Sequence, residues 1–489
     1  MSEIEDRIQE LEQRGLGRRL RMVSGPQEPT VLLDGKPVLL LCSNNYLGLA
    51  NHPRVREAAA EAAMRWGVGA GASRLVSGTM TIHRRLEERL AAFERSEACL
   101  LFGSGYLANL AVIGALAGPG DTIFSDELNH ASIVDGCRLS HAEVLVYRHA
   151  DVEHLDWSLR QQGDRRNAHA GRMIVTDSLF SMDGDLAPLA EIVELARVHR
   201  ARTVVDEAHA TGALGPEGRG AIAQAGLEGE IDVVVGTLGK ALGSYGAYVC
   251  ADAETVRYLI NTARPLIFST APPPPAVAAA LAALELLREC PERVERLRSN
   301  ARALRRALAE EGFRVAEDSM HIVPLIVGSE RAASGLCQEA VERGVFAQAI
   351  RPPTVPAGSS RLRLAAMASH TPAELRAAAR VLGESARRIG LDPEEISAPL
   401  SEQRSFEQET VVSYGERVSA DREPFFGEPE PDVALEELDA ELDAGRKRLA
   451  AAARSRSPGP LDAERPDAPS DRSNAPFDIE RETNVSRAA

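Results

Sequence analysis

The sequence has no excess of positive charge. Its 56 Lys+Arg are outnumbered by 72 Asp+Glu, for a formal net charge of −16 at pH 7. That balance excludes a general binder of nucleic-acid backbones, which needs a basic face, but leaves room for a local basic pocket around an anionic substrate. Paired cysteines are also missing. The six cysteines, at 42, 99, 137, 250, 290 and 337, form no CxxC pair and no Cys/His cluster at zinc spacing. No metal site is therefore expected, and the thiols read as reduced, buried groups of a cytoplasmic protein. The opening MSEIEDRIQELEQRG is charged and lacks the apolar stretch of a secretory leader. The longest alanine-leucine run, Ala276 to Leu287, is interrupted by Glu285 and too short to cross a bilayer. No membrane association is expected, and there is no internal repeat.

What is present is a chain of 489 residues with 44% hydrophobic side chains, enough for a sizeable core. At about 150 residues per domain, two or three units are expected. Residues 2 to 21 read as a charged helix leading into the body. From about 44 to 395, short β-rich runs such as Met173–Thr176, Thr203–Val205, Val233–Val235 and Ala247–Cys250 alternate with amphipathic stretches such as Leu189–Val198 and Glu254–Arg264. This alternation predicts an α/β fold around a buried, largely parallel sheet. Pro272–Pro275 punctuates the chain, and one helix over roughly 276 to 313 is expected to lead into a smaller domain. The expected boundaries are an N-terminal helical segment (1–43), a large domain (44–275), a small C-terminal domain (276–395) and an acidic tail (396–489). Residues 401–489 hold 21 Asp+Glu and 12 Lys+Arg, so −9 of the −16 lies there. A segment so polar buries too little apolar surface to order itself. Only Val433 to Ala453, with Leu435, Leu438, Leu442 and Leu449, has helical spacing, and alone such a helix is marginal.

Four local patterns point to one chemistry. In Val204-Val205-Asp206-Glu207-Ala208-His209, an acidic residue ends a buried strand, where parallel sheets bind ligands. A carboxylate there can keep a pyridinium nitrogen protonated, with His209 near the ring's phenolic oxygen. Asp206 alone reads equally well as a turn residue capping a helix. In Val235-Gly236-Thr237-Leu238-Gly239-Lys240, a lysine among small residues after a strand has room to form an imine with an aldehyde cofactor, and Thr237 is placed for a phosphate. A lone lysine in such a turn is usually solvated, but Asp206 and Lys240 end successive predicted strands and can face one crevice. Gly103-Ser104-Gly105-Tyr106 opens a helix running to Leu116, whose free N–H groups suit a phosphate. His130, in Leu128-Asn129-His130-Ala131-Ser132, can lie flat on a planar cofactor, although a loop histidine is more often structural.

Together these motifs resemble the α-oxoamine synthase family. SNNYLGL (43–49), SRLVSGT (73–79), LNHASI (128–133), LFSMDGD (179–185), VVDEAHATG (204–212) and GTLGKALG (236–243) occur in the family's order and spacing, and the resemblance covers about residues 5 to 390. It implies a homodimer of the aspartate-aminotransferase-like fold, pyridoxal-phosphate fold type I. A large domain with a mainly parallel sheet joins a smaller C-terminal α+β domain, and the active sites lie at the subunit interface. It further implies that Lys240 carries the Schiff base, Asp206 pairs with the pyridine nitrogen, His209 and Ser181 approach the phenolic oxygen, and His130 stacks on the ring. Gly105, Tyr106 and Thr237 would bind the phosphate, and Ser269 and Thr270 the phosphate of the neighbouring subunit. Arg351 would hold the amino-acid carboxylate with Asn44 nearby, Thr354 would line the acyl site, and Arg18 of GLGRRLR would contact the acyl substrate.

The segment Ala349–Pro356, with Ala208 and Thr211, is most similar to members that join L-alanine to a pimeloyl thioester with loss of carbon dioxide. A member using glycine or serine with another acyl chain is the alternative. A non-catalytic scaffold is disfavoured by the intact Lys240, Asp206 and His209, and a binding role for the tail is left open.

Overall fold

The computed structural model describes residues 2–161, 171–318 and 320–397. They fall in one compact unit, residues 1–421; a second, residues 422–489, lies outside the described residues, as do nearly all of the acidic tail and its candidate helix at 433–453.

A seven-stranded sheet forms the centre. Its spatial order is Ala98–Phe102, Ala247–Ala251, Val233–Thr237, Arg202–Asp206, Arg172–Asp177, Thr122–Asp126 and Glu143–Tyr147. Four of its six pairings are parallel, and the other two are those of Ala247–Ala251, which runs antiparallel to both neighbours. The strands are continuous apolar runs because both faces are covered. Val204, Val233 and Val235 point into one core with helix Gly105–Leu116, while Val205 and Val234 point into the other, the alternation a pleated strand imposes. Gly236 is obligatory in this packing: a Cβ there would sit 2.1 Å from the Tyr248 ring.

Two smaller sheets flank this core. Ile322–Gly328, Ser360–Ala365 and Gln348–Ile350 form an antiparallel three-stranded sheet. Val23–Ser24, Thr30–Leu33 and Lys36–Leu40 form an antiparallel ribbon, to which Val345–Phe346 adds in parallel.

Two helical expectations are corrected. The first helix runs only from Glu3 to Gln13 and stops before Gly15, whose φ of 70° is left-handed. The expected single helix over 276–313 is two, Pro274–Glu289 and Glu292–Glu310. Pro291 divides them, because its missing N–H and its ring cannot continue the first. Pro274 instead starts that helix, where a proline fits. Among the described residues, no helix is long and apolar enough to cross a membrane.

Candidate active site

The carboxyl ends of strands Arg172–Asp177, Arg202–Asp206 and Val233–Thr237 supply neighbouring groups. Asp177 and Asp206 lie opposite one another in the parallel register, and Lys240 follows three residues after Thr237. Of the chain's three lysines, Lys36 is exposed and Lys447 lies outside the described residues. Lys240 is the one placed in this cleft, where its Nζ lies 2.7 Å from His209 Nε2.

A network continues behind His209. Its Nδ1 is 2.7 Å from the Tyr46 hydroxyl, which donates to Asn44 Oδ1 at 3.0 Å. Arg363 donates from Nη2 to the Tyr46 oxygen at 3.1 Å, from Nη1 to Asn44 Oδ1 at 3.2 Å, and from Nε to the Ser181 carbonyl at 2.5 Å. With the tyrosine hydrogen given to Asn44, proton counting assigns a hydrogen to Nδ1 of His209 and turns the Nε2 lone pair toward Lys240. Burial, then the charges of Lys240 and Arg363, hold His209 well below its usual pKa, so it is neutral. Burial also lowers Lys240, to about 8; Asp206 opposes this and Arg363 reinforces it. A substantial fraction of Lys240 is thus a free amine near neutral pH, the form a nucleophile or base requires.

Asp206 Oδ2 accepts from Asn109 Nδ2 at 2.6 Å and Oδ1 from the Ala208 N–H at 2.8 Å. The Asp177 carboxyl, its pKa raised well above the usual range by burial and then by Asp206, accepts the His130 N–H at 2.8 Å. His130 is exposed and caps helix Ala131–Ser140, with Nδ1 against Ser132 Oγ at 2.7 Å. Gly105 opens helix Gly105–Leu116 behind the Ser104 cap, and a Cβ there would meet nothing within 4 Å. Tyr106 is exposed, its hydroxyl on Asp135. Thr237 Oγ1 donates to the Gly246 carbonyl at 3.2 Å and accepts the Gly239 N–H. Ser269 is half-buried and Thr270 exposed, beside a bridge from Thr270 to Ser73.

The structure does not bring every expected residue here. Arg351 donates to the backbone carbonyls of Gly15 and Gly17, because the extended segment after the first helix folds over it. Arg18, from that segment, donates to the Pro352 carbonyl at 2.9 Å. Among the described residues, no hydrogen bond or ion pair ties Arg351 to the Lys240 network, and Arg363 is the guanidinium within it. Thr354 is exposed on the same loop as Arg351. Sequence reasoning also missed Tyr46, Asp177, Asn109 and His321. The His321 ring packs against Tyr46 at 4.1 Å and burial pushes its pKa down to about 3. Arg363 had a signal: Arg361 and Arg363 alternate with leucines in a strand, so both face one side.

His149 braces the loop that carries Ser181. Its Nδ1 is 3.0 Å from Asp126 and its Nε2 2.7 Å from Asp185. Burial works against its charge, but these two carboxylates outweigh it and raise the imidazole to about 10. A group raised in the folded state stabilises fully below its ordinary 6.5 and loses that contribution as pH rises through about 10. His149→Gln is therefore expected to cost about 3 kcal/mol near pH 6, as for breaking one side of a buried pair. Melting curves of both proteins from pH 6 to 10 should show the gap narrowing; a constant gap would contradict the charged assignment.

The residues fit pyridoxal phosphate. A buried lysine of lowered pKa, a carboxylate for a ring nitrogen, an exposed histidine and an open helix N-terminus are the donor set that cofactor requires. Fold and site thus define a pyridoxal-phosphate enzyme of fold type I. Residues 36–382 match the family model for aminotransferase class I and II, and the chain belongs to that family, in its α-oxoamine synthase branch. It is 48% identical over 393 residues to 8-amino-7-oxononanoate synthase of Citrifermentans bemidjiense, covering 80% of this chain and 100% of that one. The Geobacter sulfurreducens protein of the same name is 50% identical over 388 residues, covering 78% and 98%. Among solved structures, SPT with PLP internal aldimine superposes with a TM-score of 0.75 at 35% identity, covering 79% of this chain and 98% of that one.

Proposed function

We propose that this chain condenses L-alanine with a pimeloyl thioester, on CoA or a carrier protein, giving 8-amino-7-oxononanoate, carbon dioxide and the free thiol, a step of biotin biosynthesis. The observation that carries the chemistry is the Lys240 amine, 2.7 Å from a neutral His209 and beside Asp206. The choice of substrates follows the named relatives. Lys240 would hold the cofactor's aldehyde carbon, Asp206 its ring nitrogen, His209 and Ser181 its phenolic oxygen, and Gly105, Tyr106 and Thr237 its phosphate, with His130 over the ring. When bound, pyridoxal phosphate supplies an electron sink for the charge left at the amino acid's Cα. Once alanine replaces it, Lys240 is free as a neutral amine to take the Cα proton and later to return one. His209 keeps that amine aimed without adding a competing charge.

Arg363 holds the alanine carboxylate. Its guanidinium has five N–H groups and commits three, to Ser181, Asn44 and Tyr46. Nη1 keeps one further hydrogen and Nη2 a second that lies 3.5 Å from His209 Nδ1, a pair that a carboxylate entering the cleft would accept side by side. At the acyl end stand Arg18, Arg351 and Thr354, with two positive charges for the distal carboxylate of the pimeloyl chain.

The active form is a cytoplasmic homodimer in which Ser269 and Thr270 serve the neighbouring subunit's phosphate. Exposed Leu75, Val76 and Phe268 flank the Ser73–Thr270 bridge and supply apolar surface for that contact.

The experiment is turnover of glycine, alanine and serine against a panel of acyl thioesters, in wild type and Arg363→Lys. Alanine with pimeloyl thioester should be preferred. The lysine variant should bind alanine on the order of a hundredfold more weakly, since a point charge cannot replace a bidentate fork. Preference for glycine or serine would move the chain to another member of the family, and unchanged alanine binding would remove Arg363 from the site.

A further inference from the structure

Strand Ser360–Ala365 carries two arginines on one face, and both reach the same loop. Arg361 Nη1 donates to Asp183 Oδ1 at 2.6 Å and to the Met182 carbonyl at 3.3 Å. Arg363 Nε donates to the Ser181 carbonyl. Three consecutive loop residues, Ser181, Met182 and Asp183, are thus held by two arginines two positions apart. The Arg361–Asp183 pair is buried, its side chains 4% and 13% exposed.

The loop has little freedom to adjust. Phe180 N–H bonds the Asp185 carbonyl and Gly184 N–H the Phe180 carbonyl, both at 2.9 Å. Gly184 has φ 75°, and a Cβ on it would lie 2.6 Å from the Ile322 carbonyl of the adjacent strand. Asp185 is tied at the other end to His149. A loop this constrained transmits a shift at Asp183 to the Ser181 carbonyl, which is one of the three anchors of Arg363.

We propose that Asp183 and Arg361 form a positioning pair that sets the Arg363 guanidinium for the amino-acid carboxylate, so that amino-acid affinity depends on an ion pair that never touches the substrate. The inference rests on the reading of Arg363 as the carboxylate holder. Of the residues assigned to the cofactor, Ser181 alone lies on this loop; Lys240, its covalent anchor, and Asp206 lie elsewhere and share no hydrogen bond with the pair. The pair should therefore act chiefly on the substrate, with the cofactor still held by Lys240.

The test uses cofactor-loaded enzyme in five forms: wild type, Asp183→Asn, Arg361→Met, the double variant, and Asp183→Glu. The readouts are the alanine dissociation constant, followed through the cofactor's absorption spectrum, and the amount of cofactor bound. Each single variant should weaken alanine on the order of tenfold with cofactor still stoichiometric, and the double variant should be no worse than the poorer single, because both remove one shared interaction. Asp183→Glu, which keeps the charge, should recover most of the affinity. The double variant also leaves no lone buried charge, so it reports even where a single variant fails to fold. Unchanged alanine affinity in the double variant, or parallel loss of alanine and cofactor, would overturn the pair's role. Wild type that binds cofactor but no alanine would overturn the functional reading and this inference with it.

Discussion

Lys240→Ala is expected to abolish turnover, by at least about 10⁴-fold, because one amine serves both as the covalent anchor and as the acceptor of the Cα proton. The chain offers an unusually clean check, since it has only three lysines, Lys36, Lys240 and Lys447. Borohydride reduction of the yellow holoenzyme, followed by peptide mapping, should place the pyridoxyl group on Lys240. A label on Lys36 or Lys447 would end the argument. Lys240 is lowered to about 8 whereas His209 is held well below its usual pKa, so the variant removes the effective base and leaves in its place only a much weaker one.

Asp206→Asn should leave the fold nearly intact, because asparagine keeps the shape and its one oxygen can still accept the Ala208 N–H, while the Asn109 amide can turn its otherwise unpartnered oxygen toward the new NH2 group. Turnover should nonetheless fall by about 10²–10³, the usual consequence of removing a preorganised charge from where charge develops in the reaction. Asp177 complicates the outcome in a predictable way. Burial and then Asp206 push its pKa well up, and removing Asp206 relieves the second of these, so Asp177 becomes easier to ionise. The double variant with Asp177→Asn should therefore be slower than Asp206→Asn alone. Near-normal turnover of the single and the double variant would remove the carboxylate from its assigned place.

Much of this arrangement was legible before the structure. Strands buried on both faces are written as continuous apolar runs, so Val233–Thr237 and Arg202–Asp206 stand out, and the groups that follow them, Asp206, His209 and Lys240, inherit their placement. Strand direction is not written that way: Ala247–Ala251 is as apolar as its parallel neighbours, yet it runs against them. Arg351 and Arg363 illustrate a second limit. Both lie in distinctive segments, but which guanidinium enters the cleft depends on where residues 15–17 fold, a contact across some 330 positions that local pattern does not encode. The break at Pro291 was readable and was overridden by the apolar periodicity on either side. The Arg361–Asp183 pair was out of reach for the reason that hides Arg363, since its partners are 178 positions apart.

Strand Lys36–Leu40 pairs on one side with its sequence neighbour Thr30–Leu33 and on the other with Val345–Phe346. Synthesis delivers the first partner at once and the second roughly three hundred residues later, an interval of about 15–60 s at 5–20 residues per second. For that time the outer edge of Lys36–Leu40 is an open row of backbone donors and acceptors on the nascent chain, the kind of edge that invites pairing with other chains. The ribbon near the beginning of the chain is completed only when most of it has left the ribosome, so its last contact is a late event in folding and a chain arrested before residue 345 carries that edge uncovered.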